Sequence, residues 1–226
     1  MIMKTFNRIA EYRFACKIAK DKSVLDVACG PGDSAPMFLD AGVNSYVGID
    51  INEKQLEYAN YKYSYYKHMK HDAGKVNYHV GDIRTFNNGK TFDIITCYGI
   101  IEHVNDYEVA IKNLYSLLNH GGVLLISSYN RLLTSPFYKS VDDKPANEEP
   151  SQKFTPNELL WILNSCGFYV NQDNLFGRHQ RKFYANKALN RLNQVIFDKF
   201  MRKKNPAFTR VTDKEPEHFI IVATKI

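Results

Sequence analysis

The chain reads as an α/β fold built on a mainly parallel sheet, and three observations predict it. Short β-branched runs alternate with stretches of helical pattern along most of the 226 residues, the order that winds parallel strands. Phe92–Tyr98 (FDIITCY) is nearly all apolar, as a strand buried on both faces must be. Val24-Leu25-Asp26-Val27-Ala28-Cys29-Gly30-Pro31-Gly32 runs from a strand through a glycine turn into a helix, the junction where such sheets bind ligands.

The elements follow in order. Ser23–Ala28 is the first strand and Asp33–Ala41 the helix after it. Tyr46–Ile51 (YVGIDI) is the second strand, and residues 52–70 form a long helix. Val76–Ile83 is the third strand and Phe92–Tyr98, by its apolar run, a central fourth. Asn105 is placed to cap the helix Asp106–Leu118, with Glu108 three residues on in the manner of a capping box. Gly121-Gly122 ends that unit and Val123–Tyr129 is the fifth strand. Residues 130–155 carry three prolines and read as a long loop, the length of a lid or binding loop. Thr155, Pro156 and Glu158 open a helix to about Cys166, and Gly167 stops it. The sixth strand starts over Phe168–Val170 and can reach Phe176; residues 182–203 are helical and basic; His218–Thr224 is the last strand. The long helix carries Tyr58, Tyr61, Tyr63, Tyr65 and Tyr66, a spacing that suits half-burial against the sheet better than a stacking platform.

Composition narrows the class. Hydrophobic residues at 44% and charged residues at 24% suit a globular domain and exclude a disordered or collagen-like chain. The longest apolar run, around Val123–Ile126, falls far short of the roughly 20 residues a bilayer crossing needs. Charges interrupt the first residues, so no signal-peptide core is expected. Cys16, Cys29, Cys97 and Cys166 stand apart, without zinc-ligand spacing, which predicts reduced thiols in a cytoplasmic protein and no metal centre. Residues 178–204 hold nine basic residues and one acid. Such a patch attracts phosphates, nucleotides, nucleic acid or an anionic surface, or is simply a solvated helix face. No appended nucleic-acid module accompanies it, so the expected partner is a small molecule.

The glycine turn admits two ligands. Gly30-Pro31-Gly32-Asp33-Ser34-Ala35 fits G-x-G-x-x-A, a dinucleotide fingerprint, and Asp50 ends the second strand where a ribose would be gripped. Asp26 argues otherwise. A carboxylate beside a pyrophosphate would be repelled, whereas beside an amino-acid ammonium it would form a charge-assisted hydrogen bond. Asp82, closing the third strand, can accept an adenine's exocyclic amine. Acids for an amino acid, a ribose and a base describe S-adenosylmethionine (SAM) better than NAD.

At these residues the chain resembles the class I SAM-dependent methyltransferases. VLDVACGPG, YVGIDI and VGDI are similar to their first three motifs, and FDIITCYGIIEHV and LLNHGGVLLISS to those of the fourth and fifth strands. More narrowly it is similar to a group common among sugar and surface-polysaccharide enzymes, through Glu11-Tyr12-Arg13-Phe14-Ala15, Ser128-Tyr129-Asn130-Arg131, Phe154-Thr155-Pro156 and Phe176-Gly177. The resemblance implies a Rossmann-like, seven-stranded sheet, mostly parallel with the last strand antiparallel, flanked by helices. It implies a single methyltransferase domain over residues 1–226, with a SAM-binding core at about 12–129 and lid insertions at about 130–155 and 178–212. Carried over, Asp26, Ala28, Gly30 and Gly32 would hold the methionine part of SAM. Asp50 and Ile51 would take the ribose side, and Asp82 and Ile83 the adenine. Cys97 and Tyr98 would line the sulfonium, and Tyr12 would cover the cofactor. Where the group usually has His-Val-Arg-Glu before Phe-Thr-Pro, this chain has Pro150-Ser151-Gln152-Lys153, which points to a different acceptor. Cys97-Tyr98-Gly99-Ile100 also replaces the acid- or Asn-Pro-Pro-aromatic pattern of amine-methylating relatives.

Methyl transfer from a sulfonium is an in-line displacement in which the protein mainly supplies position. A hydroxyl acceptor must also lose its proton, and His103, following the fourth strand, is the first candidate base. His179 is a second candidate, and His68 and His71 read as solvated. The expected reaction is O-methylation of a small polar or phosphate-bearing acceptor, such as a sugar of a surface polysaccharide or its precursor. N-methylation of a small amine, an NAD-dependent oxidoreductase and a non-catalytic SAM-binding partner subunit are the alternatives.

Overall fold

A computed structural model describes residues 2–70, 75–130, 154–170, 172–178, 209–210 and 218–226. Five strands run parallel: β1 (Ser23–Val27), β2 (Ser45–Asp50), β3 (Val76–Val80), β4 (Phe92–Tyr98) and β5 (Leu118–Tyr129). β9 (His218–Lys225) lies antiparallel against β5, and β7 (Leu175–Arg178) antiparallel against β9. The order is β3-β2-β1-β4-β5-β9-β7-β8, where β8 is Thr209–Arg210 and β6 (Phe168–Tyr169) also pairs with β9. The fold class is therefore the predicted one, a mostly parallel α/β sheet with its last strand antiparallel. Among the described residues the sheet divides into nine strand segments. The sixth strand is broken by a 3-10 turn at Gln172–Asn174, so that Phe168 pairs with Lys225 while Leu175 pairs with Ile221. The two-residue β8 adds the remaining strand.

The helices are α1 (Ile2–Cys16), α2 (Ala35–Asp40), α3 (Glu53–Lys70), α4 (Tyr107–Leu117) and α5 (Pro156–Ser165). α1 is an element that strand and turn signals did not announce. Tyr12, Ala15 and Ala19, one helical face and the turn beyond it, are buried beneath the sheet with Phe38, Tyr46 and Tyr98. α2 begins two residues later than expected. The hydroxyl of its N-cap Ser34 makes no capping bond and donates instead to Asp26. The N-cap of α4 is Asp106, not Asn105, again without a side-chain capping bond; its carboxylate meets Arg84 at 3.3 Å.

Two cores cover the two faces. Val24, Phe38, Tyr46, Ile94, Leu125 and Ile220 pack toward α1 and α2. Leu25, Val27, Ile95, Leu114, Leu163 and Phe219 pack toward α4 and α5. Strand alternation sends neighbours to opposite cores. The strand order reverses where β1 lies between β2 and β4, so the carboxyl ends of these strands flank a crevice. Most of the predicted lids, the basic helix and the basic cluster beyond Arg178 lie outside the described residues, as do His71 and His179 and the side chain of His68.

Candidate functional site

The turn after β1 is held from both sides. Cys29 N–H donates to Ile49 O at 3.0 Å, and Gly32 N–H to Cys29 O at 3.1 Å. Ala28 adopts φ 54° and Gly30 φ 53°, so the turn uses the left-handed region that costs an alanine and not a glycine. Gly30 N–H donates to Asp50 Oδ2 at 2.9 Å, and Asn52 N–H to Asp50 Oδ1 at 2.9 Å. Gly81 N–H donates to Asp50 O at 3.0 Å, drawing the end of β3 to the end of β2. Gly30, Asp50 and the segment of Asp82 are thus joined at one edge of the sheet.

Asp82 accepts from the backbone N–H, Nε and Nη2 of Arg84, at 2.8, 3.0 and 2.6 Å. These bonds hold its carboxyl below the usual carboxylate range, so it stays ionised. Asn113 Nδ2 donates to Ile83 O at 2.9 Å and to Phe86 O at 3.1 Å, fixing the loop behind it. Arg84 and Asn113 escaped the sequence reading because each is a partner of a strand end, not part of a motif.

Asp26 is placed differently from expectation. Residue 26 shares its strand face with Val24, so the side chain points into the α1–α2 core, away from the strand edge. It is 0% exposed. Oδ1 accepts from Thr96 Oγ1 at 2.6 Å and Tyr12 OH at 3.2 Å; Oδ2 accepts from Ser34 Oγ at 2.5 Å and Tyr46 OH at 2.9 Å. Burial raises its pKa, and the four hydroxyls oppose that rise. The carboxylate therefore ties β1, β2, β4, α1 and the start of α2 together beneath the turn.

Tyr12 is likewise buried. Its ring packs edge-on against Phe38 and Tyr98, with centroids at 6.1 and 5.3 Å, and does not cover an open cleft. Cys97 and Tyr98 are both buried and face opposite cores. Burial pushes the Cys97 thiol pKa well up, and Tyr98 OH donates to Glu11 O at 3.3 Å. By contrast Asp50 is half-buried and Ile51 is 75% exposed. A Cβ on Gly30 would meet no atom within 4 Å, so that face of the turn is open. These residues fit a nucleoside with an amino-acid tail: an open glycine backbone, a diol acceptor at Asp50 and an ionised acceptor at Asp82.

After β4 a 3-10 turn spans Ile101–His103. His103 is exposed at its end, while Glu102 is 4% exposed beneath it. Burial pushes the Glu102 carboxyl from its ordinary 4.5 up to about 7, against the opposing influence of Arg8 and Ser128. Among the described residues its Oε2 has no hydrogen-bond partner. The sequence signal for it was slight, an acid between Ile101 and His103.

The methyltransferase domain family matches residues 3–173. The ubiquinone biosynthesis O-methyltransferase of Pelagibacter ubique is 31% identical over 157 residues, 66% of this chain and 62% of that protein. The protein of the same name from Coxiella burnetii is 33% identical over 156 residues, covering 66% and 64%. The chain thus spans a little under two thirds of the curated relatives it matches. Among solved structures, a putative methyltransferase from Bacillus halodurans superposes with a TM-score of 0.65 at 22% identity, covering 95% of this chain and 98% of that one. Magnesium protoporphyrin IX methyltransferase from Synechocystis, with bound S-adenosylhomocysteine, gives 0.62 at 18% identity, covering 99% and 83%. At such identities the structures show a shared fold. These proteins do not support the narrower resemblance to sugar and polysaccharide enzymes.

Proposed function

Given that the chain belongs to the methyltransferase domain family, and is on that ground a SAM-dependent methyltransferase, we propose that it methylates an oxygen of a small polar acceptor. The observation that carries this reading is the family match, which includes the open glycine turn and Asp50. The curated relatives' printed name, an O-methyltransferase of ubiquinone biosynthesis, favours oxygen over nitrogen. Membership of this family also replaces the dinucleotide-dehydrogenase alternative that the glycine turn alone allowed.

Bound SAM supplies an electrophilic methyl group on a sulfonium. Gly30 and Gly32 offer backbone to its amino-acid portion, Asp50 and Ile51 to the ribose side, and Asp82 and Ile83 to the adenine. Asp26, sealed among four hydroxyls, acts by holding the turn in shape. Tyr12, Cys97 and Tyr98 form the packed floor of the site. His103, exposed after β4, takes the acceptor's hydroxyl proton as the oxygen attacks, a contribution of about 10²–10⁴-fold.

Labelled-methyl transfer tests the reading with size-matched panels of hydroxylated aromatics, sugars and amines. Product on a hydroxyl is expected, with His103→Ala lowering turnover while leaving S-adenosylhomocysteine affinity nearly intact. Methylated amine without methylated hydroxyl overturns the oxygen assignment. Unchanged turnover in His103→Ala removes the histidine from the chemistry.

A further inference from the structure

Among the α3 tyrosines whose side chains are described, three do not pack as their spacing suggested. Tyr58, Tyr61 and Tyr65, three and four residues apart, share one outward face and are 54%, 72% and 71% exposed. Tyr63 turns inward and packs against the core. A pocket of about 490 Å³ adjoins this face, lined by Pro36, Tyr61, Lys62, Tyr63, Tyr65 and Tyr78. Of the residues that would hold SAM, only Gly32 borders it.

We infer that this pocket is a second binding site, for a planar aromatic molecule of one or two rings, and that its occupant is coupled to the cofactor turn through Tyr78. The volume falls within the roughly 300–1,000 Å³ range of small-molecule sites, and its walls are mainly apolar with few polar groups. Four aromatic rings from α3 and β3 supply faces for stacking. Lys62 and Asp33 form an ion pair at the same pocket, so the walls present no unbalanced charge and favour an uncharged ring.

The coupling rests on packing. A Cβ on Gly32 would run into the Tyr78 hydroxyl, and one on Gly48 would lie 2.7 Å from the Tyr78 ring. Tyr78 therefore fills the space that two glycines leave, directly behind the cofactor turn. Its ring meets Tyr46 edge-on at 6.0 Å, and Tyr46 OH donates to Asp26. A molecule that shifts Tyr78 moves a group in contact with Gly32 and one ring removed from Asp26.

The test uses the neutral, planar, two-ring fluorescent probe 2-naphthol, titrated with S-adenosylhomocysteine at saturation so that the cofactor cleft is filled. Saturable one-site binding is expected. Tyr61→Ala and Tyr65→Ala should each weaken it by about tenfold, the loss of one stacking face. Tyr169→Ala, which removes an exposed tyrosine of β6 outside the pocket, should leave it unchanged. In a second titration, saturating probe should shift S-adenosylhomocysteine affinity at least threefold in the wild type and not in Tyr61→Ala. Absence of saturable binding, or equal binding by wild type, Tyr61→Ala and Tyr65→Ala, overturns the site. Binding without any shift in S-adenosylhomocysteine affinity overturns the coupling.

Discussion

Gly30 and Gly32 stand two residues apart in one turn, and their surroundings differ. Both have positive φ, so an alanine at either position bears a left-handed cost of about 1 kcal/mol. At Gly30 that is the whole cost, because the added Cβ meets open space. At Gly32 the Cβ would sit 2.9 Å from the Ala59 Cβ, which has no rotamer to retreat to, and would run into the Tyr78 hydroxyl. Gly32→Ala is expected to cost about 3 kcal/mol of stability against about 1 for Gly30→Ala, read from urea midpoints. Equal losses would mean that Tyr78 does not fill the space behind the turn. Glu102 gives a second prediction at this scale. Its folded-state pKa, about 7, lies above its ordinary 4.5, so the folded chain keeps a proton that the unfolded chain gives up. Its contribution is fully present below pH 4.5 and is lost as pH rises through 7, a change of about 3 kcal/mol. Glu102→Gln should match the wild type near about pH 5 and exceed it in stability near about pH 8, by urea unfolding. Parallel pH profiles would show that burial of this carboxyl costs nothing. Gly30 and Asp50 were legible in the sequence because a glycine turn and a strand-end acid act through local backbone. Where the Asp26 side chain points was not legible, since that depends on which sheet face α1 and α2 cover.

Among the elements, α5 is the one whose start was fully written in its own residues. Glu158 N–H donates to Thr155 Oγ1 at 3.2 Å and Thr155 N–H to Glu158 Oε2 at 2.8 Å, the reciprocal capping box, with Pro156 at the first helical position. Thr155→Ala removes one of the two bonds and is expected to cost about 1 kcal/mol in chemical unfolding. A loss within a few tenths of zero would mean that water caps the helix as well as threonine does. The box expected at Asn105 and Glu108 does not form, because the N-cap falls on Asp106, whose carboxylate meets Arg84 from the loop after β3. No local pattern reports that partner. β6 and β7 show the same limit. Residues 168–176 have one apolar pattern, and only pairing with two different stretches of β9 divides them into two strands. α1 went unannounced because its buried face is completed by Phe38 and Tyr98 from distant parts of the chain.

At the scale of the whole molecule, the first helix and the last strand meet under the sheet, so the fold is closed by contacts of the longest sequence separation. His218, opening β9, lies opposite Tyr129 at the end of β5, with ring centroids 4.8 Å apart. Its Nε2 is 3.1 Å from Glu11 Oε1 on α1, and both side chains are buried. The same turn of α1 provides the carbonyl of Glu11 for Tyr98 and the hydroxyl of Tyr12 for Asp26. Loosening this contact should therefore disturb the floor of the cofactor site as well as the helix. A buried pair of this kind is strongly destabilising to break from one side and nearly neutral to replace from both. His218→Leu alone removes the imidazole that faces the buried Glu11 carboxyl and should cost about 3 kcal/mol. Adding Glu11→Leu should restore most of that loss, a coupling that a double-mutant cycle in urea reads directly. Strictly additive losses would show that α1 is held by its apolar face alone, and that the pair contributes nothing to joining the two ends of the described fold.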